Sequence, residues 1–276
     1  MEGGAMRGLF TAGVIDVLME NHIETDGAIG VSAGAAFGCN YVSKQHGRVL
    51  RYNLRFCKDP RFCSWLSFFL TGNLYNVEFG YYTIPTVYDP FDYEAFAASD
   101  MDFWSVATDV MTGKPVYHKY GSFRDDDVKW LIASASMPMV SKPVHVGGRT
   151  LLDGGMSDSI PLQFIEEHGY DKNIVILTQP KVYKKSDLTY MPLVRLALRQ
   201  YPNLVHAIDI RPNVYNNQVR YVNRRAKEGA AFVIQPPARL GIGAVCRDRS
   251  ELKRVYALGR EAAQRRLPQL KEWLKD

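Results

Sequence analysis

The chain has 276 residues, of which 46% are hydrophobic and 23% are charged, and its formal net charge is +5. This length suits one large domain or two small ones, and the composition is that of a globular enzyme rather than a disordered or fibrous protein. With no signal peptide and no apolar run of about 18 residues, we expect a cytoplasmic protein without a membrane span. The cysteines are few and lack a zinc-binding spacing, which indicates free thiols.

The positive charge is concentrated toward the C-terminus. From Arg195 to the end there are 17 Lys and Arg against 7 Asp and Glu, whereas residues 1–194 hold 17 against 22. A basic C-terminal third can face lipid headgroups, or it can simply form the solvated faces of helices. No RNA- or DNA-binding motif is present, so we expect no nucleic-acid partner.

The first elements in chain order are a helix over 8–21, a short strand over 28–31 and a helix over 33–43. Residues 52–104 then differ in composition, because they hold 16 of the chain's 33 aromatic residues. We predict that this region forms a cap of helices and loops over the sheet, with the segment 65–75 bordering a groove. Such a cap either lines an apolar pocket or packs only as core.

Strands and helices alternate through the rest of the chain. The strand-like runs are 103–110, 115–118, 144–152, 174–178 and 231–234, and the predicted helices are 125–136, 162–168, 213–227 and a basic helix from about 250. We expect Pro268 to break or kink that last helix. The alternation predicts an α/β fold, a three-layer α/β/α arrangement with a mainly parallel central sheet, in one domain over residues 1–276.

The pattern G-x-S-x-G occurs once, as Gly30-Val31-Ser32-Ala33-Gly34. An apolar strand precedes it and a helix of small residues follows, which is the context of a nucleophile elbow with Ser32 at its tip. It stands too early for an α/β-hydrolase, which builds several strands before its serine. None of the six histidines follows residue 206, so we expect that the general base is not a histidine.

A glycine-rich turn, Gly3 to Gly8, immediately precedes the first predicted helix. Free backbone N–H groups at such a turn attract negative charge and can hold the oxyanion of an ester under attack. The alternatives are weaker, because neither a P-loop nor a dinucleotide-binding glycine pattern is present. The expected oxyanion hole consists of the backbone of Gly3, Gly4, Ala5, Met6 and Arg7.

The run Asp153-Gly154-Gly155 ends the apolar segment 144–152. A carboxylate there, hydrogen-bonded to Ser32, could act as the general base without a histidine. Taken alone, Asp-Gly-Gly is also an ordinary turn.

Together, GGAMRG, GVSAG and DGG resemble, in order and spacing, the motifs of the patatin-like phospholipase family. The segment 134–162 and the later runs RPNVYNNQV and LKRVYALGREAA are similar to a bacterial branch of it, so the resemblance covers nearly the whole chain. It implies a Ser-Asp dyad with Ser32 as nucleophile and Asp153 as base, an oxyanion hole at Gly3–Arg7, and neither metal nor cofactor.

Two features depart from the family pattern. Ala5 stands where the oxyanion loop commonly has glycine, and its Cβ would be strained if that position needs a positive φ. The family also has a strand directly before this loop, whereas only Met1 and Glu2 precede it here. We therefore expect either that the sequence starts downstream of that strand or that the loop is weakly anchored.

The expected function is hydrolysis of lipid or lysolipid carboxylic esters, with peripheral contact to a membrane as an option. Two alternatives stay open: a soluble carboxylesterase or thioesterase, and a lipid-binding protein that no longer turns over. The sequence does not indicate an oligomeric state, a headgroup or an acyl chain length.

Overall fold

Among residues 1–275, which the computed structural model describes, seven strands form the centre of the molecule. The strands are β1 (Gly27–Val31), β2 (Asp102–Asp109), β3 (Pro115–Lys119), β4 (Val144–Val146), β5 (Arg149–Asp153), β6 (Asn173–Ile176) and β7 (Ala231–Ile234). Strand β2 pairs with β1, β3 and β5, β4 pairs with β5, and β6 pairs with β7.

The register of β1 and β5 along β2 positions the site. β1 runs parallel to β2 and ends with Val31 opposite Val106. β5 runs antiparallel to β2 and ends with Asp153 opposite Ala107. Because β3 pairs with these same residues of β2, β1 and β5 must share the other edge of β2. The two strand ends therefore meet there, one residue apart in register.

Met1 and Glu2 lie between the two groups of strands. The N–H of Val31 donates to the carbonyl of Met1 at 3.2 Å, and the N–H of Glu2 donates to the carbonyl of Ile176 at 3.0 Å. Beyond Met1, a cavity of about 590 Å³ separates β1 from β6. The glycine-rich loop that follows Glu2 is thus bonded on both sides, so the expectation of weak anchoring is wrong.

Helices cover both faces of the strands. The α-helices are α1 (Gly8–Glu20), α2 (Ala33–Val42), α3 (Arg48–Phe56), α4 (Trp65–Thr71), α5 (Tyr93–Ala97), α6 (Asp126–Ala135), α7 (Leu162–Glu167), α8 (Met191–Ala197), α9 (Pro202–Lys227) and α10 (Arg249–Trp273). Helices α1 and α10 enclose the largest buried cluster, and α7 and α9 pack on the opposite face. The predicted α/β fold with a mainly parallel central sheet is confirmed.

Some element boundaries differ from prediction. The run 144–152 is a hairpin rather than one strand, because Gly147 and Gly148 adopt positive φ values of 58° and 69° between β4 and β5. Helix α9 begins at Pro202, well before the predicted residue 213, since proline fits the first turn of a helix.

The C-terminal helix also differs. Its N-cap is Asp248, whose carboxylate accepts from the N–H of Ser250, so the cap lies before the predicted start near residue 250. Helix α10 continues past Pro268 to Trp273, and Leu270 beyond the proline is buried in the main cluster. Burial of that turn outweighs the backbone hydrogen bond that proline removes.

Candidate active site

Ser32 stands at the tip of a sharp turn between β1 and α2. Its φ of 54° and ψ of −123° are unusual for a residue with a Cβ. Strained backbone of this kind persists where neighbouring contacts hold it. Here the N–H of Ser32 donates to Oγ of Ser134, on α6, at 3.0 Å. The turn has the strained strand-to-helix geometry that a nucleophile elbow requires.

Glycine is required on both sides of Ser32 because other backbone passes very close. A Cβ placed on Gly30 would lie 2.4 Å from the carbonyl oxygen of Gly34, and one placed on Gly34 would lie 2.5 Å from the carbonyl oxygen of Met1. Neither contact can be relieved by a side-chain movement. The G-x-S-x-G spacing therefore reflects the packing of α2 against β1 and the N-terminal residues.

Asp153 meets Ser32 at the junction of β1 and β5. Oγ of Ser32 donates to Oδ2 of Asp153 at 2.6 Å, and the N–H of Gly155 donates to Oδ1 at 2.7 Å. Both Ser32 and Asp153 are buried. Gly154 follows directly, where its Cα packs against the backbone of Val106. The two residues that the sequence singled out for chemistry are in direct contact.

The environment of Asp153 favours its neutral form. Burial raises the pKa of its carboxyl group above the ordinary value, while hydrogen bonds from Ser32 and Gly155 and the charge of Arg211 lower it in part. A carboxylate with a raised pKa is a stronger base. The arrangement can therefore accept a proton from a serine hydroxyl without a third group.

The glycine-rich loop lies beside Ser32. A Cβ placed on Gly3 would lie 3.0 Å from Cβ of Ser32, and Ala5 to Arg7 form a short 3₁₀ turn. Within residues 1–275, the N–H groups of Gly3 and Gly4 have no backbone or side-chain acceptor. Ala5 has a φ of 47°, so the strain foreseen for a Cβ at this position is present.

Glu2 anchors the glycine-rich loop through hydrogen bonds to its carboxylate. One of its carboxylate oxygens accepts from the N–H of Thr178 at 2.6 Å, and the other accepts from the hydroxyl of Tyr215 at 2.8 Å. Burial raises the pKa of Glu2 above its ordinary value, and these hydrogen bonds oppose that shift. The sequence offered no motif for Glu2, Tyr215 or Ser134, although Ser134 opens the run SASMP within the segment similar to the family.

An apolar pocket of about 130 Å³ opens at Ser32. Ala5 and Met6 of the loop border it, and nearly half of its lining residues come from the aromatic region. The lining residues from that region are Tyr52, Asn53, Phe62, Tyr75, Asn76, Gly80, Tyr81, Ile84, Pro85, Phe91 and Tyr93. The aromatic-rich region therefore lines a pocket, and part of it also packs as core around Phe56, Phe62 and Phe79.

The segment 65–75 has a different place from the one expected. Tyr75 lines the pocket, whereas the preceding helix α4 turns its apolar side chains outward. Phe69 is 79% exposed and Leu70 is 76% exposed. An antiparallel backbone β-bridge between Cys63 and Tyr75 joins the two ends of this segment. Helix α4 thus projects from the cap next to the pocket rather than forming its wall.

Other candidate groups are absent from the site. Within residues 1–275, no histidine bonds to Ser32 or Asp153 and none lines the pocket. In the same residues, no cluster of three or more His, Cys, Asp or Glu side chains is placed to hold a metal. None of the helices described is both long and apolar enough to cross a membrane.

Comparison with known proteins gives two family matches. A family model described as patatin-like phospholipase matches residues 1–164, and one described as a domain of unknown function matches residues 201–275. The chain is 26% identical over 268 residues to the uncharacterized protein YjjU of Escherichia coli strain K12, a match that covers 94% of this chain and 73% of that protein.

Fungal relatives match a shorter segment. Lysophospholipase nte1 of Aspergillus fumigatus is 26% identical over 178 residues, and that of Aspergillus oryzae is 27% identical over 181 residues. Each match covers 61% of this chain and 11% of the fungal protein. The similarity to a lysophospholipase thus concerns one segment of a much longer protein.

Proposed function

Because the chain belongs to the patatin-like phospholipase family, whose members hydrolyse lipid esters, we propose that it is a serine acyl hydrolase acting on carboxylic esters of lipids or lysolipids. The observation that carries the proposal is the hydrogen bond of 2.6 Å from Ser32 Oγ to Asp153 Oδ2. The similarity to lysophospholipase nte1 supports the same substrate class.

In the proposed mechanism, Oγ of Ser32 attacks the ester carbonyl while Oδ2 of Asp153 takes its proton. The tetrahedral intermediate then collapses, and the leaving alcohol receives that proton from Asp153. This step leaves the acyl group on Ser32. Water attacks the acyl-enzyme as Asp153 again accepts a proton, which returns to Ser32 Oγ as the acid departs.

The oxyanion of each intermediate would be held by the Gly3–Arg7 loop. Gly3 lies beside Ser32, since a Cβ placed on it would lie 3.0 Å from Cβ of Ser32, and the N–H groups of Gly3 and Gly4 have no acceptor within residues 1–275. Because Glu2 anchors the loop, the proposal requires no large rearrangement of it. One such donor typically contributes about 3–4 kcal/mol to lowering the barrier. In this proposal, the buried dyad and the loop donors act together on each intermediate.

The acyl chain would enter the pocket that opens at Ser32. Its volume of about 130 Å³ is close to that of engineered apolar cavities of about 150 Å³ that hold benzene. A short acyl chain therefore fits inside, and a long one must continue past the cap. In this proposal, helix α4, with Trp65, Leu66, Phe69 and Leu70 exposed, would receive it and contact a membrane surface peripherally.

The decisive experiment compares wild type with Ser32→Ala, Asp153→Asn and the double variant on butyryl and lysophospholipid esters. Each single variant should lose several orders of magnitude in kcat/KM, and the double variant should be little worse, because residues that act as a unit are not additive. A fluorophosphonate probe should label wild type and not Ser32→Ala.

Matched controls are available elsewhere in the chain. Ser43 is a buried serine outside the site, and Asp16 is a buried carboxylate whose pKa burial also raises. Ser43→Ala and Asp16→Asn should retain hydrolysis in proportion to folded protein. A folded histidine variant as inactive as Ser32→Ala would replace the dyad with a triad, and an unlabelled wild type would favour a non-catalytic lipid-binding protein.

A further inference from the structure

Three cationic side chains, Arg7, Lys185 and Arg211, lie near one another beside Asp153 and the glycine-rich loop, and none of them lines the acyl pocket; we refer to them as the cationic cluster. Two of these side chains can be located from their distances to a Cβ placed on a nearby glycine. A Cβ placed on Gly155 would lie 3.2 Å from Nη2 of Arg211 and 3.0 Å from Oδ1 of Asp153. A Cβ placed on Gly4 would lie 3.3 Å from Nε of Arg7.

The two guanidinium groups of the cationic cluster are unusual because they lack partners. Nε of Arg7 and Nε of Arg211 are buried and have no hydrogen-bond acceptor within residues 1–275. No ion pair in that part of the chain joins either arginine to a carboxylate. Buried donors without acceptors are rare in proteins, because such a donor gives up its hydrogen bond to water and nothing replaces it. The cluster is therefore built to receive an acceptor from outside the chain.

The nearby carboxylates do not supply that acceptor. Both oxygens of Glu2 are engaged by Thr178 and Tyr215, and both oxygens of Asp153 are engaged by Ser32 and Gly155. Three cations thus face two carboxylates, whose negative forms burial already disfavours. The positive charge beside Ser32 is not balanced by the protein.

Lys185 adds to the excess. Its Nζ lies 4.7 Å from the ring centroid of Tyr215. Burial, together with the charges of Arg211 and Arg7, lowers the pKa of Lys185 to about 8, and the charge of Glu2 opposes that shift. A lysine whose neighbours disfavour its charge regains a higher pKa when an anion binds beside it.

We infer that the cationic cluster is an anion-binding subsite for the leaving group of the substrate, selective for a phosphate. Guanidinium groups present a fixed fork of donors that matches phosphate oxygens, and a lysine supports them as a point charge. With the acyl chain in the apolar pocket and the ester at Ser32, the alcohol part points toward the cluster. This inference rests on the proposed function and specifies its substrates as esters with a phosphorylated leaving group.

Two residues of the cationic cluster come from outside the segment that matches the patatin-like phospholipase model. Lys185 lies beyond residue 164, and Arg211 lies on α9 within the segment matched as a domain of unknown function. Arg211 reaches the dyad because α9 packs beside the short turn Gly154–Met156 that follows Asp153. The inference therefore gives the C-terminal segment a part in substrate selection.

The test compares two esters with the same acyl chain, lysophosphatidylglycerol and monoacylglycerol, in wild type and Arg211→Gln. Wild type should favour the phosphate ester, and Arg211→Gln should reduce the ratio of the two kcat/KM values by about tenfold or more, the effect of one charge-assisted hydrogen bond. Arg211→Lys should lie between them. An acyl-coenzyme A thioester, as a third substrate, distinguishes a phosphorylated thiol carrier from a glycerophosphate headgroup.

Arg220→Gln is the matched control. Arg220 is exposed on the same helix, nine residues further and therefore on the opposite side of it, so its removal should leave the ratio at the wild-type value. If Arg211→Gln lowered both substrates in equal proportion, Arg211 would only tune Asp153 and the subsite would be overturned. Lys185→Gln provides the same comparison if Arg211→Gln does not fold.

Binding separates this inference from the proposed function. If wild type hydrolysed none of these esters, the proposed function would fail, but the cluster could still be measured by calorimetry with glycerol 3-phosphate and glycerol. Wild type should bind glycerol 3-phosphate and not glycerol at the same concentration, and Arg211→Gln should weaken that binding by about tenfold or more. Equal binding of the two compounds, or no change in Arg211→Gln, would overturn the subsite.

Discussion

At the scale of single residues, the site combines two features that destabilise the fold, the strained backbone of Ser32 and the buried carboxyl group of Asp153. Ser32 is one of several residues with a Cβ that adopt a positive φ, and its side chain contacts a buried carboxylate, Asp153. A raised pKa in a buried acid means that its ionised form destabilises the fold. Such costs are common at active sites, where they serve the chemistry rather than stability.

Replacing Asp153 with Asn should therefore abolish hydrolysis and yet raise the melting temperature at neutral pH. A group whose folded pKa is raised contributes stability below its unfolded pKa and loses it as the pH rises through the folded pKa. The neutral amide avoids that loss. The gain of Asp153→Asn over wild type, measured by calorimetry from pH 4 to pH 8, should shrink as the pH falls.

Asp127 is a control for Asp153 because its pKa is shifted in the opposite direction. Burial raises its pKa, but hydrogen bonds from His118 and from the N–H groups of Gly121 and Phe123 outweigh burial and leave the pKa lowered. Asp127→Asn should consequently reduce stability at neutral pH, with a smaller effect in acid. A gain in melting temperature from both substitutions would indicate a general charge effect rather than the environment of Asp153.

Ala5 gives a second prediction at this scale. A φ of 47° costs a residue with a Cβ about 1–2 kcal/mol, whereas glycine loses about 0.5–1 kcal/mol in chain entropy on folding. Ala5→Gly should therefore stabilise the protein slightly and retain the kcat/KM for a butyryl ester. Ala262→Gly, in the interior of α10, should instead destabilise it by about 1 kcal/mol. A loss of stability in both variants would show that Ala5 is unstrained.

Part of the site is visible in the sequence. Gly30, Ser32 and Gly34 have the distinctive G-x-S-x-G spacing, and Asp153 begins an Asp-Gly-Gly run. The structure brings Ser32 and Asp153 into contact. Arg211 carries no local signal, because its contact with the site depends on how α9 packs. Long-range packing of single polar side chains is information that spacing along the chain does not contain.

At the scale of elements, periodicity located most helices and strands, and the errors have local causes. The hairpin of β4 and β5 was hidden because Gly147 and Gly148 interrupt an otherwise apolar run. The start of α9 was missed because Pro202 and Pro212 suggest interruption, although proline is compatible with a first turn. Tertiary packing decided the extent of both elements.

Helix α4 carries the prediction at this scale. Phe69 and Leu70 are exposed, and moving such a side chain from water into lipid is favourable by about 1.5–3 kcal/mol. The double substitution Phe69→Ser and Leu70→Ser should reduce hydrolysis of long-chain esters in vesicles by about tenfold or more. Hydrolysis of a soluble butyryl ester and the melting temperature should stay at wild-type values.

Val182→Ser is the matched control, because Val182 is an exposed apolar residue, 87% accessible, that lies outside the cap. It should affect neither substrate. If the α4 variant lost activity on butyryl and long-chain esters equally and also melted at a lower temperature, α4 would be part of the core of the cap and its lipid-facing role would be dropped.

At the scale of the whole molecule, the C-terminal helix is joined to the N-terminal one. Helix α10 crosses α1 within the largest buried cluster, and Arg260 of α10 pairs with Glu20 of α1 at 2.7 Å. Helix α1 follows directly from the loop proposed as the oxyanion hole. If residues 1–276 form one domain, as predicted, then α10 should unfold together with α1 and the Gly3–Arg7 loop.

Gly259→Ala tests that statement. A Cβ on Gly259 would lie 2.0 Å from the carbonyl oxygen of Phe10 in α1, so the two helices must separate. Overpacking of this kind costs about 1–3 kcal/mol, which exceeds the gain of about 1 kcal/mol in helix propensity from Gly to Ala. We expect a melting temperature lower by several degrees, in a single transition, and reduced ester hydrolysis, because the displacement of α1 reaches the Gly3–Arg7 loop.

Gly121→Ala, where the nearest atom to the new Cβ is 3.9 Å away, should change neither quantity. Two separate transitions in calorimetry, with only one shifted by Gly259→Ala and hydrolysis intact, would instead mean that the segment around α10 is an independent domain.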